Sequence, residues 1–312
     1  MRDREYTSPI GPALGMGARR VYDSYVCATG QDDNEVTAMK LGMTMYSFNT
    51  YAREGKIDTL GFLRWAADHG VECVDLLAYY WRDERDEPEQ ARALLDDLGL
   101  ELAAYAVGNN FVQPDRARLE EQIDDVRRGI EMSHRLGAPV LRVFGGHAPS
   151  LPKSEALKLA LTGLEAVVGD AEQARVILAV ENHGGVPGTA EEVIQVLQEI
   201  DSPWVRSCVD VGNFLSAGED PLEATARVVG YAAHAHIKDL RRVEDKSGKV
   251  SWQSCTPGKG DIDYRKVLQV FARAGYEGAL AIEAEGPEDD FIQAAFAVDW
   301  LRALLEELGE PG

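Results

Sequence analysis

From residue 40 onward, short apolar runs alternate with stretches in which apolar residues recur every three or four positions. The runs 40–47, 71–77, 101–107, 139–144, 176–181, 205–210, 232–238 and 278–283 are rich in Val, Ile, Leu and Ala. Continuous apolar runs of this length predict parallel strands covered on both faces. Between them, Leu119, Ile123, Val126 and Ile130 fall on one helical stripe, and Phe291, Ala295, Val298, Leu301, Leu305 and Leu308 form another. Gly70, Gly99, Gly137 and Gly275 each follow a helical pattern and precede a strand, where a left-handed residue ends a helix. Eight such units predict an α/β fold, a (β/α)8 TIM barrel forming one domain over residues 39–312. A doubly wound open sheet is the alternative, but it calls for a glycine-rich phosphate turn after an early strand, and no GxGxxG stands there.

Residues 1–38 are different: rich in Gly, Pro and polar residues, with little periodicity. They read as a loose N-terminal extension, either disordered or an oligomer arm. Whether they belong to the native protein is open, and a homo-oligomer is compatible with the sequence.

Composition narrows the function classes. The formal charge of −21 disfavours nucleic acid as a partner, since phosphate backbones are normally met by a basic surface. No run of 18 apolar residues exists, which predicts no membrane span, and no apolar stretch follows the N-terminal arginines as a secretory signal would require. Four scattered cysteines without a CxxC pair predict free thiols in a reducing compartment, hence a cytoplasmic protein.

Candidate chemistry sits at the ends of the last four strands: Glu181 in RVILAVENHGG, Asp210 in VRSCVDVGNF, His236 in AAHAHIKD and Glu283 in GALAIEAEG. Glu181 and Asp210 lie 29 positions apart and Asp210 and His236 26, one βα unit each. The longer gap to Glu283 holds an extra loop, KSGKVSWQSCTPGKGD. Strand alternation puts Glu181 on one face with Ala179 and Ile177, Glu283 with Ala281 and Ala279, and His236 with His234 and Lys238. At one height in a barrel these four would converge at the C-terminal mouth, and three carboxylates there need a cation. Any one carboxylate alone reads equally as a helix cap or surface charge; four in register do not. Three carboxylates and an imidazole form a hard donor set, which favours Mn²⁺, with Mg²⁺, Co²⁺ or Zn²⁺ as alternatives.

The segments ENHGG, DVGNF, HAHIKD, PGKGDIDY and YEGALAIEAE resemble the xylose isomerase-like TIM-barrel superfamily over roughly residues 40–308, within it the sugar phosphate isomerase/epimerase group with inosose dehydratase-like and ketose 3-epimerase-like members. The resemblance implies that Glu181, Asp210, His236 and Glu283 bind the metal and that Glu181 and Glu283 also act as acid and base. Asn213 stands where several epimerases of the group carry a His, and His183 completes the ENH pattern of dehydratase-like members. Lys238, Arg142 and His147 are further candidates for substrate contact, while Glu285 shares the face of Glu283 as a supporting group. PGKGD lacks the P-loop pattern and reads as a lid or a solvated turn. No phosphate cradle is visible, which favours a non-phosphorylated sugar or cyclitol.

The implied function is metal-dependent isomerisation or epimerisation, by removal of a proton next to a carbonyl through an enediolate. The same site admits dehydration, as in inosose dehydratases, or lyase chemistry on oxidised C-glycosides. An endonuclease IV-like phosphodiesterase would need many histidine ligands, and the chain has six His in all. A catalytically inactive sugar-binding subunit is the remaining alternative.

Overall fold

The structure, a computed structural model, describes residues 39–309; the predicted N-terminal extension lies outside the described residues. Seven strands follow one another as β1 (Lys40–Thr44), β2 (Cys73–Leu77), β3 (Glu101–Ala106), β4 (Val140–Phe144), β5 (Ile177–Glu181), β6 (Val205–Asp210) and β7 (Ala232–Ile237). A hairpin of β8 (Asp239–Glu244) and β9 (Val250–Cys255) then precedes β10 (Ala279–Ile282). All but the hairpin close into one parallel barrel in the order β1-β10-β7-β6-β5-β4-β3-β2. Each barrel strand lies inside its predicted run, and the closed sheet excludes the open alternative.

Helices cover the outside, as the periodicity predicts. Ile123, Val126 and Ile130 are buried on the helix Arg116–Leu136. The last helix, Asp290–Gly309, turns a slightly different stripe inward: Ala294 and Ala297 are buried with Val298 and Leu301, while Phe291, Leu305 and Leu308 pack at the edge. Gly70, Gly99, Gly137 and Gly275 all have φ between 67° and 79°, the left-handed conformation that closes a helix.

Inside the barrel the lower layers are small. Cys73, Ala103 and Ala279 form one contact group, and Ala104, Val140, Ala179 and Cys208 another. Small side chains at this level leave the wider ionisable residues to the layer above, at the C-terminal ends of the strands.

The register sets the height of that layer. Glu181 pairs with Cys208, so Asp210 stands two residues further along; Asp210 pairs with His236; His236 pairs with Ala281, so Glu283 is again two further. In an eight-stranded barrel of total shear eight, positions at one height step by about one residue per strand. An advance of four residues over three strand boundaries is close to that step, which is why the four residues stand at a similar height despite unequal positions in the ladder.

The extra loop predicted between His236 and Glu283 holds the hairpin β8–β9. Its alternation, DLRRVE against VSWQSC, is a strand signal masked by polar residues on both faces, and the turn is capped by Asp245, which accepts from Ser247 N and Lys249 N. The following PGKGD segment is a turn with Gly258 and Asp261 exposed, tied at its base to Asp239. Gly258 N and Gly260 N donate to Asp239 Oδ2 at 3.0 and 2.8 Å. A Cβ on Gly260 would fall 1.9 Å from Asp239 Oδ1. Gly260→Ala should therefore break this clasp and destabilise the fold by about 1–3 kcal/mol, read as a lower melting temperature; an unchanged melting temperature would show that the clasp contributes nothing.

Candidate metal centre

Glu181 ends β5, Asp210 ends β6, His236 is the penultimate residue of β7, and Glu283 directly follows β10. All four are buried. His236 Nδ1 is the common point: Glu283 Oε2 lies 3.3 Å from it and Glu181 Oε2 3.6 Å. One ligand atom each from Asp210, His236 and Glu283 falls within a 4.8 Å cluster. Glu181 falls in a neighbouring cluster of the same size with Cys208 and His236, so His236 is the residue the two clusters share.

The local sequence explains the placement. Asn182 pairs its side-chain amide with the Asp210 backbone, accepting from Asp210 N at 2.9 Å and donating to Asp210 O at 2.8 Å. Asp210 is also the N-cap of the short helix Val211–Ser216, its Oδ1 accepting from Asn213 N at 2.9 Å. Both readings of this carboxylate hold together: one oxygen caps a helix and the other, Oδ2, is left over. Gly212 lets that helix close onto β7, since a Cβ there would be 2.6 Å from Lys238 O.

Three buried atoms in this space have no hydrogen-bond partner: Glu181 Oε2, Asp210 Oδ2 and His236 Nδ1. An orphaned buried acceptor costs free energy, and the cost compounds when two belong to carboxylates. A cation among Asp210, His236 and Glu283 could satisfy the atoms of that cluster. The donor set, carboxylate oxygens and one imidazole nitrogen, fits a hard divalent ion.

The charges point the same way. Burial pushes the Asp210 carboxyl up to about 8; the Lys238 ammonium opposes this, while the charges of Glu283 and Glu181 add to it. Burial also acts to raise Glu283, but Lys238 and then His236 hold it well below the usual carboxylate range. Lys238 Nζ is 2.9 Å from Glu283 Oε1 and also pairs with Glu285. Without a cation, the cluster lowers its repulsion by keeping a proton on Asp210.

The other candidates divide into two groups. Lys238 and Asn213 border the cluster: Asn213 Nδ2 donates to Glu181 Oε1 at 3.3 Å. Arg142 Nε lies 3.2 Å from Glu181 Oε2 but off the hydrogen-bond line, while its NH1 donates to Val107 O. His183 and His147 are exposed, outside the buried cluster. The His183 ring packs 4.7 Å from Phe144, and His147 is held through its backbone by Asn110.

Sequence reasoning missed several participants. Asp75, an acid inside the apolar run CVDLL, bonds His234 and approaches His236; its inward parity with Cys73 was the available signal. Cys208 lies against Glu181 and His236, its thiol pushed up to about 12 by burial and thus neutral. A cavity of about 420 Å³ is lined by Tyr46, Tyr79, Tyr80 and Trp81 together with Arg53 and Arg82. Tyr79 reaches Arg142, which joins this cavity to the ionisable cluster.

Fold and site together define a closed (β/α)8 barrel with a buried carboxylate–imidazole centre able to hold a divalent metal. Residues 63–304 match the family model described as xylose isomerase-like TIM barrel, and the chain belongs to that family. An inosose dehydratase from Geobacillus kaustophilus is 28% identical over 251 residues, spanning 71% of this chain and 80% of the relative. A xylose isomerase-like TIM barrel protein from Mycobacterium smegmatis, solved in complex with magnesium, superposes with TM-score 0.69 at 18% identity, covering 89% of this chain and all of that one. A 3-keto-D-glucoside 4-epimerase from E. coli superposes with TM-score 0.68 at 15% identity over 85% of this chain and 99% of that one.

The raised Asp210 carboxyl sets a pH dependence. Its folded value, about 8, exceeds the ordinary 3.8, so the metal-free fold binds the extra proton and loses stability as pH rises between the two. A cation must displace that proton below about pH 8. Mn²⁺ affinity should rise about tenfold per unit between roughly pH 6 and 8 and level off above. Calorimetry in buffers of different ionisation enthalpy should show one proton released at about pH 7; pH-independent binding without proton release would remove Asp210 from the site.

Proposed function

We propose that this chain is a divalent-metal-dependent enzyme that isomerises or epimerises a sugar or cyclitol by moving a proton next to a carbonyl. The carrying observation is that two buried glutamates from different strands, Glu181 and Glu283, flank His236 Nδ1 within 3.6 Å. Glu181, Asp210, His236 and Glu283 would hold the ion, with Mn²⁺ the first choice and Mg²⁺, Co²⁺ or Zn²⁺ its competitors. Bound there, it would polarise a carbonyl and its neighbouring hydroxyl and acidify the C–H between them.

The chain's own groups do the rest. Lys238 keeps Glu283 ionised, the state that accepts a proton. Glu181, held by Asn213 and Arg142 on the other side, faces the same space and delivers or receives the second proton. Proton return to the same carbon from the opposite side inverts it; return to the neighbouring carbon isomerises. The aromatic cavity suits the apolar faces of a ring, with Arg53 and Arg82 in its lining to meet hydroxyls.

Dehydration is the second reading, favoured by the inosose dehydratase similarity across most of the chain. It shares the first step and differs in where the second proton goes: to the β-hydroxyl, which leaves as water as the C–O bond breaks, instead of to carbon. A histidine-rich zinc phosphodiesterase is disfavoured by where the histidines lie. Among the described residues His69 stacks on Trp65, His134, His147 and His183 are exposed, and only His234 and His236 enter the buried cluster.

Incubating the Mn²⁺-loaded protein with ketoses and inososes in D₂O tests both readings. Deuterium at carbon in an epimer or isomer is the result expected, an unsaturated product that of dehydration, and no exchange with any substrate overturns the mechanism. Glu181→Gln and Glu283→Gln should each lower the rate by about 10²–10⁴-fold.

A further inference from the structure

Asp75 lies across the lumen from His236, on β2, three strands away around the barrel. It is buried, as is His234. His234 Nε2 donates to Asp75 Oδ2 at 2.8 Å, and His236 Nε2 lies 3.4 Å from that same oxygen. The two imidazole rings meet edge-on, 5.3 Å apart and 86° between planes. One carboxylate oxygen is therefore shared by two histidines two residues apart on β7, while Asp75 Oδ1 has no hydrogen-bond partner.

This arrangement has a directional consequence. An imidazole whose Nε2 faces a carboxylate keeps its proton on that nitrogen, so the lone pair is left on Nδ1. His236 Nδ1 is the atom that faces Glu181 and Glu283 and that has no other partner. A buried carboxylate with an unpaired oxygen is a costly way to brace a barrel, and an apolar residue of similar volume would pack more cheaply. The cost makes sense if the carboxylate orients a neighbour.

We propose that Asp75, anchored by His234, is a positioning residue that fixes the ring and tautomer of His236 and so directs Nδ1 at the divalent cation. This role rests on the functional reading above, in which His236 is a ligand. His234 supplies the shorter bond and stops Asp75 from turning away; Asp75 then holds His236, and neither needs to touch substrate. The second oxygen-and-imidazole grouping in the barrel is on this view a support for the first and not a site of its own.

Asp75→Asn keeps the shape and removes the charge. Calorimetry with Mn²⁺ should show affinity about 10–100-fold weaker than wild type, and the visible absorption of bound Co²⁺ should change with the ligand field. The metal-free variant's melting temperature reports whether it folds. A folded variant with wild-type affinity and an unchanged Co²⁺ spectrum overturns the proposal, because a merely structural carboxylate would move melting and leave both readouts alone. Wild-type protein labelled with ¹⁵N-histidine and loaded with Zn²⁺ provides a readout independent of the variant's folding. A protonated, slowly exchanging His236 Nε2 supports the role, and a proton on Nδ1 overturns it. Failure of the wild type to bind Mn²⁺ would instead sink the functional reading and this role with it.

Discussion

Three carboxylates and a histidine share a space from which water is largely excluded, and the polar interior answers to that crowding. In a medium of low effective dielectric, like charges at such separations cannot all remain ionised without a countercharge. Several surrounding features act to limit the repulsion. Lys238 is buried against Glu283 and Glu285, Arg142 stands beside Glu181, and Asp210 turns one oxygen to a helix N-terminus, where partial positive charge favours it. These contacts still leave three acceptors without partners in one small volume. A cluster of this kind is stable in proportion to how well it is filled, which links folding, pH and metal binding in a single equilibrium.

The barrel makes the crowding achievable. Alanines and cysteines fill the lower layers, and above them side chains from β2, β5 and β7 reach one another across the lumen. The tilt of the strands converts unequal ladder positions into one height. The loops after β1 and β2 then wall a cavity on one side with aromatic rings, while the hairpin β8–β9 and the clasp on Asp239 rigidify the stretch between His236 and Glu283. A polar hairpin tied by two backbone amides replaces what would otherwise be a long free connection beside the site.

Family membership and geometry agree on a barrel with a buried carboxylate–imidazole centre, and the proposed chemistry leaves the product to the substrate. Epimerisation, isomerisation and dehydration begin with the same proton transfer. They part only in where the electron pair of the intermediate goes next, a choice governed by which substituents sit beside the reacting carbon. An inosose dehydratase is among the relatives of the chain, and a 3-keto-D-glucoside 4-epimerase shares the fold.

The apolar periodicity of the chain was enough to place all eight barrel strands, because parallel strands buried on both faces must be continuously apolar and their helices must carry a stripe. It was enough, too, to mark Glu181, Asp210, His236 and Glu283, since an ionisable residue ending such a run is conspicuous. The hairpin escaped because both of its faces are partly solvated, which erases alternation as a signal. Asp75 and His234 escaped as a pair because their bond joins residues 159 positions apart across the lumen, and no local pattern encodes a contact made by closure. His183 and His147, candidates for substrate contact, are exposed outside the buried cluster, a placement set by the loops that carry them. Which elements form is decided by local patterns of burial, legible residue by residue. Which side chains meet is decided by strand tilt, register and barrel closure, and these exist only once the sheet has joined its own edge.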